Sequence, residues 1–519
     1  MNFMNANREF EVNDTAWTPS PLGEGRGEAI RRKGNLLLIA CFLLLVGSAY
    51  SQSTEEALRY SELRFGGSAR GMAVAGAMGA IGADYSSVIN NPAGLGLFRK
   101  TELMFTFRFE NMNTESQYDN GFTSDNRFNF NVGNLGAAFA GKKERGGWKN
   151  INFGIGYNRL ANYHAERYYR GNPTDNSILQ SYADEATGTP ADQLSYGDQS
   201  FESVLAYDAY LINPLPSDIT QYTTVTDNAD VDQRINVETR GATDELSFAV
   251  AGNYKHKLYV GGYLGIPFIF YKERGYHRET SLAAGDEVFN SFTMNDQLNT
   301  FGAGVNFKMG LIYRPSDWVR LGAAFHTPTY FGIRDEYSSS VTVSFDTLPN
   351  PDLVFPITYE GEFDYNLTTP MRFVGSVGVI LKKYAFLSFD YEWVDYSRAQ
   401  YHTASEFSDF EKDVNEDIAG LYGSAHIFRA GAEAALDNFR FRAGYAHYGS
   451  PYENAAALGD YDGSANYFTG GIGIRLKKVY FDLAYVHGKS KSVNLAVNDE
   501  LAYDESIRNS VMITTGFRF

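Results

Sequence analysis

From residue 101 onward the chain alternates apolar and polar positions with a period of two. Leu246, Phe248, Val250, Gly252 and Tyr254 alternate with Ser247, Ala249, Ala251 and Asn253. Val319, Leu321, Ala323 and Phe325 alternate with Arg320, Gly322, Ala324 and His326, and Phe439 to Ala446 repeats the pattern. Such alternation gives a strand one apolar face and one polar or small-residue face. Fourteen segments carry it, near 101–111, 129–140, 151–160, 246–254, 258–271, 302–313, 319–327, 371–381, 385–396, 426–436, 439–448, 467–476, 479–486 and 510–519. Their length of about ten residues suits a tilted strand that crosses a bilayer.

The connections alternate too. Lys255 to Lys257, Arg314 to Trp318, Lys382-Lys383, Asp437-Asn438 and Lys477-Lys478 are tight turns. Between them lie long polar loops over 161–245, 272–301, 328–370, 397–425, 449–466 and 487–509. Short turns at one end and long loops at the other are the plan of an outer-membrane barrel, with short periplasmic turns and an even number of strands. The sequence therefore predicts an all-β fold: a transmembrane antiparallel barrel of about 14 strands. Closure also removes the edges of so much β-structure. The turns are basic, with Lys142, Lys143, Arg145 and Lys149 joining the lysines above, whereas loop 161–245 carries fifteen acidic and four basic residues. Its acidity serves solubility, or cation bridging to outer-leaflet lipid.

Composition narrows the class. The 519 residues carry a formal charge of −17, which argues against a nucleic-acid partner. A mean hydropathy of −0.32 excludes a bundle of membrane helices. The 36 Tyr, 38 Phe and 51 Gly are what many strands with tight turns require. The one continuous apolar run, Leu36 to Val46, is too short to span a membrane, which takes about 20 residues. Arg31 to Lys33 precede it and small residues follow, so it reads as a signal peptide cleaved before Gln52. The single cysteine, Cys41, sits in the middle of that run; the mature chain has no thiol chemistry. The organisation predicted is an extension and signal peptide over 1–51, an N-terminal segment over 52–100 and a barrel with long extracellular loops over 101–519.

The segment before the first strand is unlike the rest. Phe65 to Gly82 is dominated by small residues, fit for close packing in a confined space. Asp84 to Asn90 predicts a short helical turn, ended by Asn91-Pro92-Ala93-Gly94. Phe65, Gly66-Gly67, Arg70-Gly71, Asp84 and Asn91-Pro92-Ala93-Gly94 resemble the N-terminal hatch of the FadL/TodX-type outer-membrane transporters of hydrophobic compounds. The close local match covers Phe65 to Phe98, and the plan of signal peptide, lumenal hatch, 14 strands and terminal Phe519 extends it over the mature chain. The resemblance implies passive uptake of long-chain fatty acids or aromatic hydrocarbons. Ligand would land on the loops, enter a lumenal pocket and leave sideways through a gap in the wall, helped by hatch movement. An apolar ligand regains apolar burial by that exit.

Candidate residues follow. In the longest loop Asp175 is expected to cap a helix bearing Ile178 and Leu179, and Phe201, Leu205 and Ile212 to lie on a second helix. The two form a landing site, or simply pack on each other. By parity, Glu102, Arg108, Glu110, Lys308, Arg320 and Arg372 face the lumen, as do Asp390, Glu392, Arg429, Glu433, Arg440, Arg442, Arg475 and Asp482. Mixed charges of this kind pair across strands; alternatively Arg429, Arg440 and Arg442 contact a carboxylate ligand. The alternating last strand ending at Phe519 resembles the signal read by the barrel-assembly machinery. No zinc pattern or nucleophile elbow occurs, and Asp413 to Asp417 lacks the Gly and Glu of a calcium loop. No cofactor or catalytic site is expected. Hydrophobic small molecules and membrane lipid are the expected partners in a Gram-negative outer membrane. A different reading makes the chain a barrel of a protein-secretion system that binds exported proteins through its loops; a third makes it purely structural.

Overall fold

The computed structural model describes residues 53–195, 200–226, 230–282, 289–347, 349–350, 353–498 and 500–519. The apolar run, Cys41 and the cleavage position lie outside them. The strands form one closed antiparallel barrel of 14. They are β1 (Glu102–Tyr118), β2 (Gly121–Arg145), β3 (Trp148–Asn162, continued by Ala165–Thr174), β4 (Val231–Tyr254) and β5 (Leu258–Ser281). Next come β6 (Phe289–Tyr313), β7 (Val319–His326, then Tyr330–Phe345), β8 (Ile357–Thr368, then Arg372–Leu381) and β9 (Ala385–Asp395, then Gln400–His402). β10 (Ser424–Leu436), β11 (Phe439–Tyr448), β12 (Asp462–Arg475), β13 (Val479–Val497) and β14 (Glu500–Arg518) complete the wall. The closing pair is β1 with β14, in a register that sets Glu102 opposite Arg518.

Each strand is exposed outward where its sequence is apolar. Phe153, Phe248, Phe307, Met309, Phe441 and Leu483 are all exposed on the outer wall, where lipid replaces water. The predicted turns stand, but the strands run well past the predicted loop boundaries. β4 begins at Val231, inside the expected loop 161–245, and β5 and β6 together take up most of 272–301. Above the bilayer the strands turn polar side chains outward and apolar ones such as Ile235, Phe292 and Met294 inward, so the outward-facing apolar residues that mark the lower half do not continue there. β7 and β8 break side by side at Pro328 and Pro370, which have no N–H for the ladder.

The hatch fills the lower lumen. Helix α1 (Thr54–Ser61) lies higher, packed through Ala57 and Tyr60 against Tyr271, Tyr365 and Tyr401. Below it, α2 (Ala69–Met72) is capped by Ser68 and α3 (Tyr85–Asn90) by Asp84, whose side chain accepts from the Ser86 N–H at 3.0 Å. Two further helices, α4 (Ile178–Ala186) and α5 (Phe201–Asp208), cover part of the extracellular end, and α6 (Ser408–Leu421) packs near α1. Ser177, not Asp175, caps α4, accepting from the Leu179 N–H at 3.3 Å. Ile212 lies beyond α5, in a two-stranded hairpin of Ile212–Leu215 with Asp218–Thr224.

Candidate functional site: a lumenal chamber beside a seam in the wall

The hatch is locked to the wall by its polar residues. Asn91 donates to the carbonyls of Gly79 (2.9 Å) and Leu311 (3.1 Å), and its own oxygen accepts from the Ala93 N–H at 3.1 Å. Arg70 donates to Glu433 at 3.1 Å and to the Ala83 carbonyl at 3.0 Å, and the Gly79 N–H donates to Asp390 at 2.9 Å. Phe65 donates its N–H to Tyr448 Oη at 2.8 Å and sets its ring edge-on to Tyr467. The wall is hollowed to receive the hatch. Tyr85 seats against Gly136, Gly154 and Gly156; a Cβ on Gly156 would fall 2.2 Å from its ring. The Tyr85 hydroxyl reaches Ser247 Oγ at 3.0 Å.

Charged side chains of the wall face the hatch in pairs. Arg442 is fully buried between Glu433 (2.7 Å) and Asp482 (2.8 Å), and Arg475 adds a second contact to Asp482 at 2.8 Å. Arg372 and Arg429 share Glu392. Arg440 does not join them: it sits at the β10–β11 turn, donating to the carbonyls of Asp437 and Phe439. Among the described residues Arg429 Nε and Arg442 Nη2 make no hydrogen bond, yet neither side chain lines the lumenal cavities described below. The expected three-arginine ligand cluster is thus two arginines engaged in holding wall and hatch, and one at the rim.

Above the hatch lies a cavity of about 250 Å³ whose lining carries Arg59, Arg64, Arg108, Lys489 and Arg508 against the single carboxylate of Glu62. Phe65, Met72, Leu160 and Val486 give it apolar surface. Arg108 and Arg508 both lean on Glu110, which also accepts from Ser510 at 2.8 Å and Asn162 at 2.5 Å. Arg59 and Arg64 lie over the rings of Tyr271 and Tyr448, 4.3 and 4.7 Å from the centroids. Among the described residues the buried Arg59 Nη1, Arg64 Nη1 and Arg108 Nε make no hydrogen bond, although Arg59 Nη1 lies 3.5 Å from Glu56, and Arg64 and Lys489 are ion-paired with Glu62 and Glu505.

One side of this cavity is a discontinuity in the wall. The β2–β3 ladder runs only as far as Asn134 opposite Asn158. Beyond it β2 continues to pair with β1, while β3 is bulged between Arg159 and Ala161, breaks after Asn162 and follows β4 instead. Leu160 to Tyr163, at the break, line the cavity. The hatch abuts the same place, for a Cβ on Gly66 would come 2.9 Å from the Arg159 carbonyl.

A second cavity, of about 350 Å³, lies under α5 and is lined by Phe201, Glu202, Glu273, His277 and Asp296. Burial, reinforced by the Asp296 charge, pushes the Glu202 carboxyl up to about 7. Of the expected landing residues, Leu179, Leu205 and Ile212 are fully buried and Phe201 nearly so, packed with Phe289, Phe292, Met294, Val341 and Val343; Ile178 is partly covered. They turn down onto the barrel because the strands rise high enough to offer them an apolar seat.

This architecture has solved counterparts. The Pseudomonas aeruginosa FadL homologue aligns with a TM-score of 0.51 at 13% identity, over 88% of this chain and 99% of that one. The P. putida toluene transporter TodX gives 0.53 at 12% identity, over 88% and 99%. The fold is that of the FadL and TodX channels. No protein-family model and no curated protein sequence matches the chain. At such low identity the likeness is one of fold, and the closed barrel with its lipid-facing apolar wall is that of an outer-membrane protein. Within that fold, parity in the sequence located the hatch-holding charges. Arg59, Arg64 and Arg508 escaped it, the first two because they lie in a segment with no period, the third because it sits above the alternating half of β14.

Proposed function

We propose that the chain is a passive outer-membrane channel for hydrophobic compounds and that its preferred cargo is an amphiphile with a single carboxylate, such as a long-chain fatty acid. The observation that carries this reading is the lumenal cavity with five cationic side chains, one carboxylate and an apolar side that borders the wall seam. A carboxylate accepts paired N–H groups from guanidinium. A flexible alkyl tail suits Phe65, Met72 and Leu160 and gains burial by passing between β2 and β3 into lipid. Phe65, Gly66, Gly67, Arg70, Gly71, Asp84, Asn91, Pro92, Ala93 and Gly94 serve as the plug that keeps the lumen closed to water while Gly66 stays close to the exit. The last strand, with Val511, Ile513 and Phe517 exposed and Phe519 at its end, is suited to delivery through the barrel-assembly machinery.

The test is binding of a fluorescent long-chain carboxylate to purified protein, beside the methyl ester of the same chain. Arg64→Ala with Arg508→Ala is expected to weaken the acid at least about tenfold, the scale of hydrogen bonds to a charged group, and to leave the ester unchanged. Equal affinity of wild type and variant for the acid would overturn the carboxylate assignment.

A further inference from the structure

We propose that the short-turn rim is a collar for anionic phospholipid head groups of the periplasmic leaflet. Lys255 and Lys257 stand on the β4–β5 turn, Lys382 and Lys383 on the β8–β9 turn, and Lys477 and Lys478 on the β12–β13 turn. All six are exposed, and none forms an ion pair among the described residues. Three arginines at this end behave differently: Arg314 pairs with Asp317 (3.2 Å), Arg475 with Asp482 (2.8 Å) and Arg518 with Glu102 (2.8 Å). Unpaired positive charge is therefore concentrated on flexible side chains at one rim of a chain that is acidic as a whole.

Position names the occupant. The rim is the foot of the lipid-facing wall, and exposed aromatic rings stand beside the lysines: Trp318, Tyr384, Phe439 and Phe519. Lys383 Nζ lies 5.6 Å from the Tyr384 centroid, and Lys255 Nζ lies 5.2 Å from that of Tyr254. Aromatic girdles settle at the head-group level, so a lysine next to one reaches lipid phosphate. Short turns face the periplasm, which makes the contacted leaflet the phospholipid one. An acidic soluble protein would meet the lysines without needing the girdle.

The experiment uses the full barrel in vesicles of phosphatidylethanolamine and phosphatidylglycerol, with spin-labelled versions of each lipid reporting which one occupies the protein's surface. The wild type should favour phosphatidylglycerol by on the order of fivefold, the factor one lysine is worth at an anionic surface, and high salt should erase the preference. A variant with glutamine at all six positions should show no preference while keeping the heat-modifiable gel shift of a closed barrel. A wild type without preference, or a glutamine variant that retains it, overturns the proposal. So does cross-linking of these lysines in cells to an acidic periplasmic protein in place of phospholipid.

Discussion

The layer below Phe65 and the chamber above it are built from the same residue types put to opposite ends. In the lower layer, small residues bring the hatch backbone against a wall with glycines cut out for it, and Arg442, Glu433, Arg70 and Asp482 form one connected network. In the upper chamber, Arg64, Arg108 and Arg508 border empty space beside the seam. A buried charge is tolerated only when paired, so the lower network specifies where the hatch sits. The upper cations are ion-paired as well, Arg64 with Glu62, Lys489 with Glu505, and Arg108 and Arg508 with Glu110, but they border a cavity instead of a packed hatch, and that difference is what makes one layer structural and the other suited to a ligand.

The most disruptive way to break the contrast is Arg442→Ala. It removes one partner from each of two buried carboxylates, leaving Glu433 to Arg70 and Asp482 to Arg475, and a loss of about 3 kcal/mol in unfolding free energy, the lower end for a broken buried pair, is expected from denaturant titration of the heat-modifiable form. Arg64→Ala with Arg508→Ala should spare that stability while weakening acid binding at least about tenfold; a large stability loss would make the chamber structural after all. Gly156→Ala puts a methyl group against Tyr85 and is expected to cost about 1–3 kcal/mol and to raise the susceptibility of residues 65–98 to protease in detergent. Intact protection would show that the hatch does not depend on that hollow.

The smallest effect concerns the cap. Glu202 keeps its proton to about 7 in the folded cap but has an ordinary value of 4.5 when exposed. Its contribution to cap stability is complete below 4.5 and is lost as pH rises through about 7. Hydrogen exchange in α5, corrected for intrinsic rates, should therefore quicken progressively between about pH 4.5 and 7 and level off above that, and Glu202→Gln should abolish the dependence. An unchanged pH dependence in the variant would assign it to another group.

Strand parity was the most legible feature of the sequence. Arg429 and Arg442 alternate with outward-facing Phe428 and Phe441, and one side chain per pair has to face the lumen. The short helix Tyr85–Asn90 was legible because Asp84 and Asn91-Pro92 are local start and stop signals. Strand height was not: the upper halves of β4 to β6 meet water outside, so they lack the outward apolar residues that mark the lower half, and their inward ones, such as Ile235 and Met294, read as loop. The seam was not legible either, because it is a mismatch between the registers of β2 and β3, a relation between two strands that neither one carries alone. The inward glycines at 136, 154 and 156 left a trace, small residues recurring at period two, and they mark the hatch's footprint.

The most direct measurement is the crystal structure of the protein with a fatty acid brominated at its tail. The carboxylate should lie within hydrogen-bond reach of Arg64 or Arg508, with the bromine's anomalous signal in the seam near Leu160. A bromine found instead under α5, or in the outer-wall groove of about 1020 Å³ between Phe270 and His402, with the chamber empty, would contradict the chamber-and-seam route.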